Sequence, residues 1–341
     1  MSTPLFPAAS FAELRARLAA LPAFDEAAAK AARVRQGQLT KPPGSLGRLE
    51  DVAVFMAGWR QAEQPRIEAA QALVFAGNHG VCAQGVNPYP QEVTVQMVAN
   101  FKAGGAAINQ LCRANGAELA VVALELDRPT ADFTEAAAMS EAEVLEAMAK
   151  GAEAVNPGAD ILVLGEMGIG NSTVAAALAT ALFGGAATDW AGPGTGADAT
   201  VMARKISAIE AGLARHEAIR QNPLAVLAAF GGREQAAICG AILAARSHRI
   251  PVLLDGFICT AAAAVLEAVS VGALAHCLAG HVSAEPGHAR LLEKLGKTPL
   301  LALGMRLGEG SGAAVALGVV RAALAAHNGM STFAEAGVSG E

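Results

Sequence analysis

Six short runs in this chain are apolar on almost every residue: Ala72 to Ala76, Leu119 to Leu124, Ile161 to Leu164, Leu224 to Ala229, Pro251 to Leu254 and Pro299 to Leu303. No polar face alternates with an apolar one, so a strand made from such a run must be buried on both sides. Longer stretches with helical spacing separate the runs. Together these features predict a parallel sheet sandwiched between helices, and hence an open, doubly wound α/β fold.

The residues just after the runs point to a site. The first run leads into Gly77-Asn78-His79-Gly80, the third into Gly165-Glu166-Met167-Gly168, and the fourth into Phe230-Gly231-Gly232. Asp255-Gly256 comes after the fifth, and Gly304 to Gly312 after the sixth. In open α/β sheets, ligands bind in the crevice beyond the carboxyl ends of the strands. Glycine can simply end a strand, but five such loops on one edge outline a binding cleft.

The two ends of the chain read differently. Residues 1–60 show helical periodicity and no strand signal, interrupted by the breaker Lys41-Pro42-Pro43-Gly44. Ala313 to Ala326 is again an alanine-rich amphipathic stretch. We therefore expect residues 1–60 and 309–341 to form a small helical domain, with residues 61–308 as the α/β domain.

Composition removes several classes of function. Apolar residues make up 53% and charged ones 16%, with a mean hydropathy of +0.38, which raises the question of a membrane span. The longest uncharged run, Met167 to Thr188, is broken by glycine and polar residues before it reaches the roughly 20 apolar residues a span needs. Residues 1–20 lack a basic start followed by an apolar block, so a cytoplasmic location is expected. Five scattered cysteines without a CxxC pair argue against disulfides and zinc. A formal charge of -6 without a basic cluster argues against nucleic acid and favours a small-molecule partner.

Three constellations could carry chemistry. Gly165 to Thr173 joins a strand to a helix, and Asn171, Ser172 and Thr173 are N-cap types that suit a phosphate. The loop fits neither GK[ST] nor GxGxxG. Gly192 to Asp198 opens a second helix, in which Lys205 falls within roughly 60° of the apolar residues Met202 and Ile209, whereas Arg204 lies opposite. Lys205 either snorkels to water or supplies a point charge to a phosphate. Glu309, set among Gly308, Gly310 and Gly312, is either a general base with a pKa raised by burial against Met305 and Leu307, or a carboxylate favouring a helix start. His79 could be functional or a structural turn histidine. His276, His281 and His288 have no metal-site spacing.

Taken in order, Lys41-Pro42-Pro43-Gly44-Ser45-Leu46-Gly47, Asn78-His79-Gly80-Val81, Gly165 to Thr173, Asp255-Gly256-Phe257 and Leu307 to Gly312 resemble the nicotinate-nucleotide:dimethylbenzimidazole phosphoribosyltransferases. The resemblance covers nearly the whole chain. It implies a Rossmann-like sheet, a small helical domain from both chain ends, a homodimer, and no metal or organic cofactor. The implied activity is that of a pentosyltransferase. It moves the phosphoribosyl group of nicotinate mononucleotide to 5,6-dimethylbenzimidazole with inversion, giving α-ribazole 5'-phosphate for the cobalamin nucleotide loop.

By the same resemblance, Glu309 is the catalytic residue. Glu166, Gly168, Gly170, Asn171, Ser172, Thr173, Lys205, Asp255 and Ser283 contact the nucleotide and its phosphate, and Gln96, Met305 and Leu307 line the base pocket. Asn78 stands where the family often has aspartate and is left out of the catalytic set. A different nucleotide-using transferase or dehydrogenase, or a nucleotide-sensing module with the same crevice, remain the alternatives at this point.

Overall fold

The computed structural model describes residues 5–194 and 196–339, so Thr195 of the Gly192 to Asp198 loop lies outside the described residues. Five strands, β1 (Ala70–Ala76), β2 (Ala117–Ala123), β3 (Ile161–Met167), β4 (Val252–Leu254) and β5 (Cys277–Ala279), form one parallel sheet in the order β2-β1-β3-β4-β5. Helices α1 (Phe11–Leu18), α2 (Glu26–Gln38) and α3 (Arg48–Arg60) precede it. The first crossover contains α4 (Glu92–Ala103) and α5 (Ala107–Asn115), and the second α6 (Glu141–Glu153). Between β3 and β4 come α7 (Asn171–Phe183), α8 (Ala199–Arg215), α9 (Pro223–Phe230) and α10 (Arg233–Ser247), and α11 (Phe257–Val269) leads to β5. The chain closes with α12 (Pro286–Lys294), α13 (Ser311–Gly329) and α14 (Phe333–Ala336).

Both faces of the sheet are covered, as the uninterrupted apolar runs require. Leu73, Phe75, Leu162, Leu164 and Leu254 point into a core shared with α6, α7, α9, α10 and α11. Their neighbours Ala72, Val74, Ile161, Val163 and Leu253 point the other way, into a core shared with α3, α5 and α13. The pleat sends successive side chains to opposite sides, so the central stretches Leu73 to Phe75 and Leu162 to Leu164 must be apolar at every position, whereas the edge strand β2 is only partly buried and carries Glu118.

Two of the six expected strands fail. Leu224 to Ala229 lies within α9, which has Asn222 as its N-cap and Pro223 at its first turn. The helix is apolar all round because it is buried all round, so periodicity carried no signal. Pro299 to Leu303 forms no strand either; only Leu301 makes an isolated bridge, to His281. The true fifth strand, Cys277–Ala279, is too short to stand out.

The chain ends meet. Arg35 Nε donates to the His327 carbonyl at 2.9 Å, Gln36 Nε2 lies 2.8 Å from His327 Nδ1, and Leu39 bridges Thr332. Val52 and Met56 of α3 pack with Leu317 and Val320 of α13 in the core that also covers the sheet. Among the described residues no helix is long and apolar enough to cross a membrane.

Candidate active site

The strand order changes direction between β1 and β3, since β2 lies on one side of β1 and β3 to β5 on the other. A crevice opens at such a point because the adjoining loops diverge to opposite faces. Here the loop after β3 forms the floor of a cleft whose walls come from residues 86–89, 193–194 and 197, 256–258, 281, 283 and 285, and 306–309. Glycine allows the floor to pack closely: a Cβ on Gly168 would fall 2.6 Å from the Gly77 carbonyl.

One group of cleft residues suits an anion. Gly170, at φ +91°, is the N-cap of α7, so Asn171, Ser172 and Thr173 occupy the first turn instead of the cap position expected from their types. Gly168, Gly170, Asn171 and Ser172 line the cleft; Thr173 is fully buried and does not. Lys205 points inward from α8 and is 1% exposed. Its Nζ donates to Ser172 Oγ at 3.1 Å and to the Gly192 carbonyl at 2.6 Å. Burial lowers its pKa to about 8, opposed by the negative charge of Glu285. Ser283, also on the wall, is fixed by His288, whose Nδ1 accepts the Ser283 amide at 2.9 Å.

The cleft also carries carboxylates. Glu309 adopts φ +64°, a left-handed conformation that strains a residue with a Cβ, between Gly308 and Gly310, both at φ +84°. The turn is pressed onto β3 so tightly that a Cβ on Gly165 would fall 2.5 Å from the Glu309 carbonyl carbon. Glu309 is 6% exposed, and its Oε2 has no hydrogen-bond partner. Burial, and then the charge of Asp255, raise its pKa. Leu307 is half exposed, so the burial comes from this backbone contact more than from the apolar neighbours expected.

Glu166, also on the floor, accepts a hydrogen bond from Asn171 Nδ2. Burial pushes its pKa well above the ordinary carboxylate value, helped by the charges of Asp255, Glu234 and Glu309. Asp255 accepts the backbone N–H groups of Gly310 at 3.2 Å and Ala313 at 2.9 Å and lies 3.4 Å from His281 Nε2. It is thus the cap of α13 and stands behind the cleft surface. His79 is fully buried below the floor, 3.1 Å from a Glu234 oxygen. Asn78 donates to the Leu126 carbonyl at 2.7 Å.

The expected base-pocket residues are not brought together. Leu307 lines the cleft, whereas Gln96 is exposed on α4, and neither it nor Met305 reaches the lining. Val86, Tyr89 and Ile258 do. Sequence reasoning also passed over Glu285 and Arg306. Glu285 lies eight residues after Cys277, so recognising β5 would have exposed it as part of a strand-end loop.

A family model described as "Phosphoribosyltransferase" matches residues 21–338. The chain belongs to that family. It is 62% identical to the nicotinate-nucleotide--dimethylbenzimidazole phosphoribosyltransferase of Rhodobacter capsulatus, over 97% of this chain and 98% of the relative. Identity to the enzyme of the same name from Ruegeria pomeroyi is also 62%, over 96% of this chain and 97% of that one. The crystal structure of the enzyme of that name from Thermus thermophilus superposes with a TM-score of 0.86 at 41% identity, covering 93% of this chain and all of that one. The parallel α/β sheet is therefore the family's.

Proposed function

We propose that the chain transfers the phosphoribosyl group of nicotinate mononucleotide to 5,6-dimethylbenzimidazole, with inversion at the anomeric carbon. The products are α-ribazole 5'-phosphate and nicotinate, and the former goes into the cobalamin nucleotide loop. The observation that carries this is Glu309: a buried carboxylate with a free oxygen, held in a strained turn of the same cleft that Lys205 and Ser172 line. The lysine and serine suit a phosphate, and the carboxylate suits a base that must lose a proton.

In the reaction, the bond from the anomeric carbon to the pyridinium nitrogen breaks, and its electron pair leaves with nicotinate. The imine nitrogen of the benzimidazole attacks from the opposite face. The new imidazolium then gives its remaining N–H proton to Glu309, which returns it to solvent. Positive charge builds up on the ribose ring as the bonds exchange, and the ionised Glu309 that takes the proton also stabilises it electrostatically. Lys205, Ser172 and the start of α7 hold the phosphate and so position the ring. Arg306 donates to the Gly194 carbonyl at 2.9 Å and braces the loop above. No step calls for a metal or an organic cofactor.

A cytoplasmic location and a homodimer belong to the same proposal; five free cysteines, four of them buried, support a reducing compartment. Incubation with nicotinate mononucleotide, with and without dimethylbenzimidazole, tests the reaction by chromatography. Base-dependent release of nicotinate together with the new nucleotide is expected. A folded protein that binds the nucleotide but releases nothing when the base is added would sink the assignment.

A further inference from the structure

Glu285 has no part in the reaction as written above, yet it lines the same cleft as Lys205 and Ser172. It follows the Ser283 turn and is the N-cap residue of α12. The side chain is 8% exposed, and no side chain hydrogen-bonds to its carboxylate; the Gly194 backbone N–H is the donor turned towards it. Oε2 is packed against the backbone so closely that a Cβ on Gly192 would fall 2.2 Å from it. The Gly192 carbonyl in turn accepts the Lys205 ammonium, so the carboxylate and the lysine flank the same residue.

A buried carboxylate without a side-chain partner beside an anion site is a contradiction if it stays ionised. It would repel the phosphate that Lys205 attracts, and burial would leave that repulsion poorly screened. Protonation reverses the effect, because the neutral acid gains an O–H donor that can be given to a phosphate oxygen. The surroundings favour such a change. Burial raises the pKa of Glu285, opposed first by the charge of Lys205 on α8, then by the Gly194 backbone N–H, and then by the charge of Arg306 from the wall above. On its own side, His288 of α12 is occupied by Ser283 and Thr260, and burial depresses its pKa to about 3, so it is neutral. His281 faces Asp255 instead.

We propose that Glu285 binds the substrate phosphate as the neutral acid, with one proton held between carboxyl and phosphate, so that binding of the phosphate dianion takes up a proton from solvent. The inference rests on the functional reading above, insofar as the ligand is a ribose 5-phosphate ester. The proton balance is simple. A phosphate monoester has its second pKa at about 6, so near pH 7 the free ligand is mostly dianionic. On this proposal Glu285 is ionised in the free protein, where Lys205, the Gly194 N–H and Arg306 oppose its protonation, and holds one proton in the complex. Lys205 stays largely charged below about 8 and adds little to the count there.

The test is calorimetric titration of the full-length enzyme near pH 7, in buffers of different ionisation enthalpy, with ribose 5-phosphate and separately with nicotinate mononucleotide. The wild type should take up about one proton per ligand, and its Kd should rise by up to about tenfold per pH unit as the pH climbs from about 6.5 to 7.5. Glu285→Gln mimics the neutral acid and should take up almost none, with an equal or lower Kd and a flat profile. No uptake by the wild type, or the same uptake in both proteins, overturns the proposal. Absence of ribose 5-phosphate binding overturns it as well. If the variant does not fold, the wild-type proton count decides. Ribose 5-phosphate binding with proton uptake, but no base-dependent release of nicotinate, would leave Glu285 assigned and remove the proposed reaction instead.

Discussion

The Asp255 carboxylate holds the Gly310 amide at 3.2 Å, one residue beyond Glu309, and its other oxygen holds Ala313. One side chain thereby caps α13 and fixes the strained turn that presents the candidate base. Its charge also raises the pKa of Glu309. Asp255→Asn removes the charge but leaves only one acceptor oxygen for two backbone N–H groups, so Glu309 should ionise at lower pH while one bond to the turn is lost. The acid limb of the kcat profile is expected to move to lower pH, with the melting temperature somewhat lowered. An unmoved acid limb in an active variant would mean that Asp255 and Glu309 do not communicate. Asp255→Ala should in addition cost about 1 to 2 kcal/mol of stability through loss of the cap, measured by urea unfolding.

Glu309 itself gives a sharper expectation. General-base assistance contributes about 10² to 10⁴ in rate. Glu309→Gln should lower kcat by that order while leaving the fold and the affinity for nicotinate mononucleotide nearly unchanged. A variant with full turnover would remove Glu309 from the reaction.

The sheet was legible where burial on both faces imposed an apolar residue at every position, as in Leu73 to Phe75 and Leu162 to Leu164. The same rule misled at Leu224 to Ala229, because a helix enclosed on all sides loses its periodic face; the Asn222-Pro223 start was the better guide. In the site, Lys205 could be placed inward from helical phase alone. The pairing of Glu309 with Asp255 could not, because the two are 54 residues apart and meet only when β4 and α13 pack together. Gln96 and Met305 show the limit of motif transfer: a base pocket is a shape made by several loops, and no spacing encodes it.

Lys205 links binding to pH in two ways. Its charge is needed in the complex, so the KM for the nucleotide should rise as the pH passes its lowered value of about 8. Lys205→Ala should raise KM more than it lowers kcat, since the phosphate lies away from the reacting carbon. Stability responds with the opposite sign. Above about 8 the folded state has lost a proton that the unfolded chain keeps up to the ordinary value of 10.5, so this group makes the ligand-free enzyme more stable as pH rises through that window. Melting curves of wild type and Lys205→Met across the window would show the difference, and parallel pH profiles would refute it.

The last expectation concerns the helices behind the sheet. Helices α6 and α10 cross through two reciprocal contacts: a Cβ on Gly151 would fall 1.9 Å from the Ala237 carbonyl oxygen, and one on Gly240 would fall 1.8 Å from that of Met148. Backbone lies on the receiving side in both, so no side chain can swing away to make room. In an isolated helix, Gly→Ala gains up to about 1 kcal/mol from propensity. Here the helices must separate instead, which costs about 1 to 3 kcal/mol or more in a close-packed core. Gly240→Ala is therefore expected to lower the urea midpoint, although the residue lies far from the cleft. Because α10 also carries Glu234, directly beneath the floor, its displacement should reduce kcat as well. A Gly240→Ala protein as stable as the wild type would show that the two helices can move apart without loss, and the tight crossing would then not be a determinant of the fold.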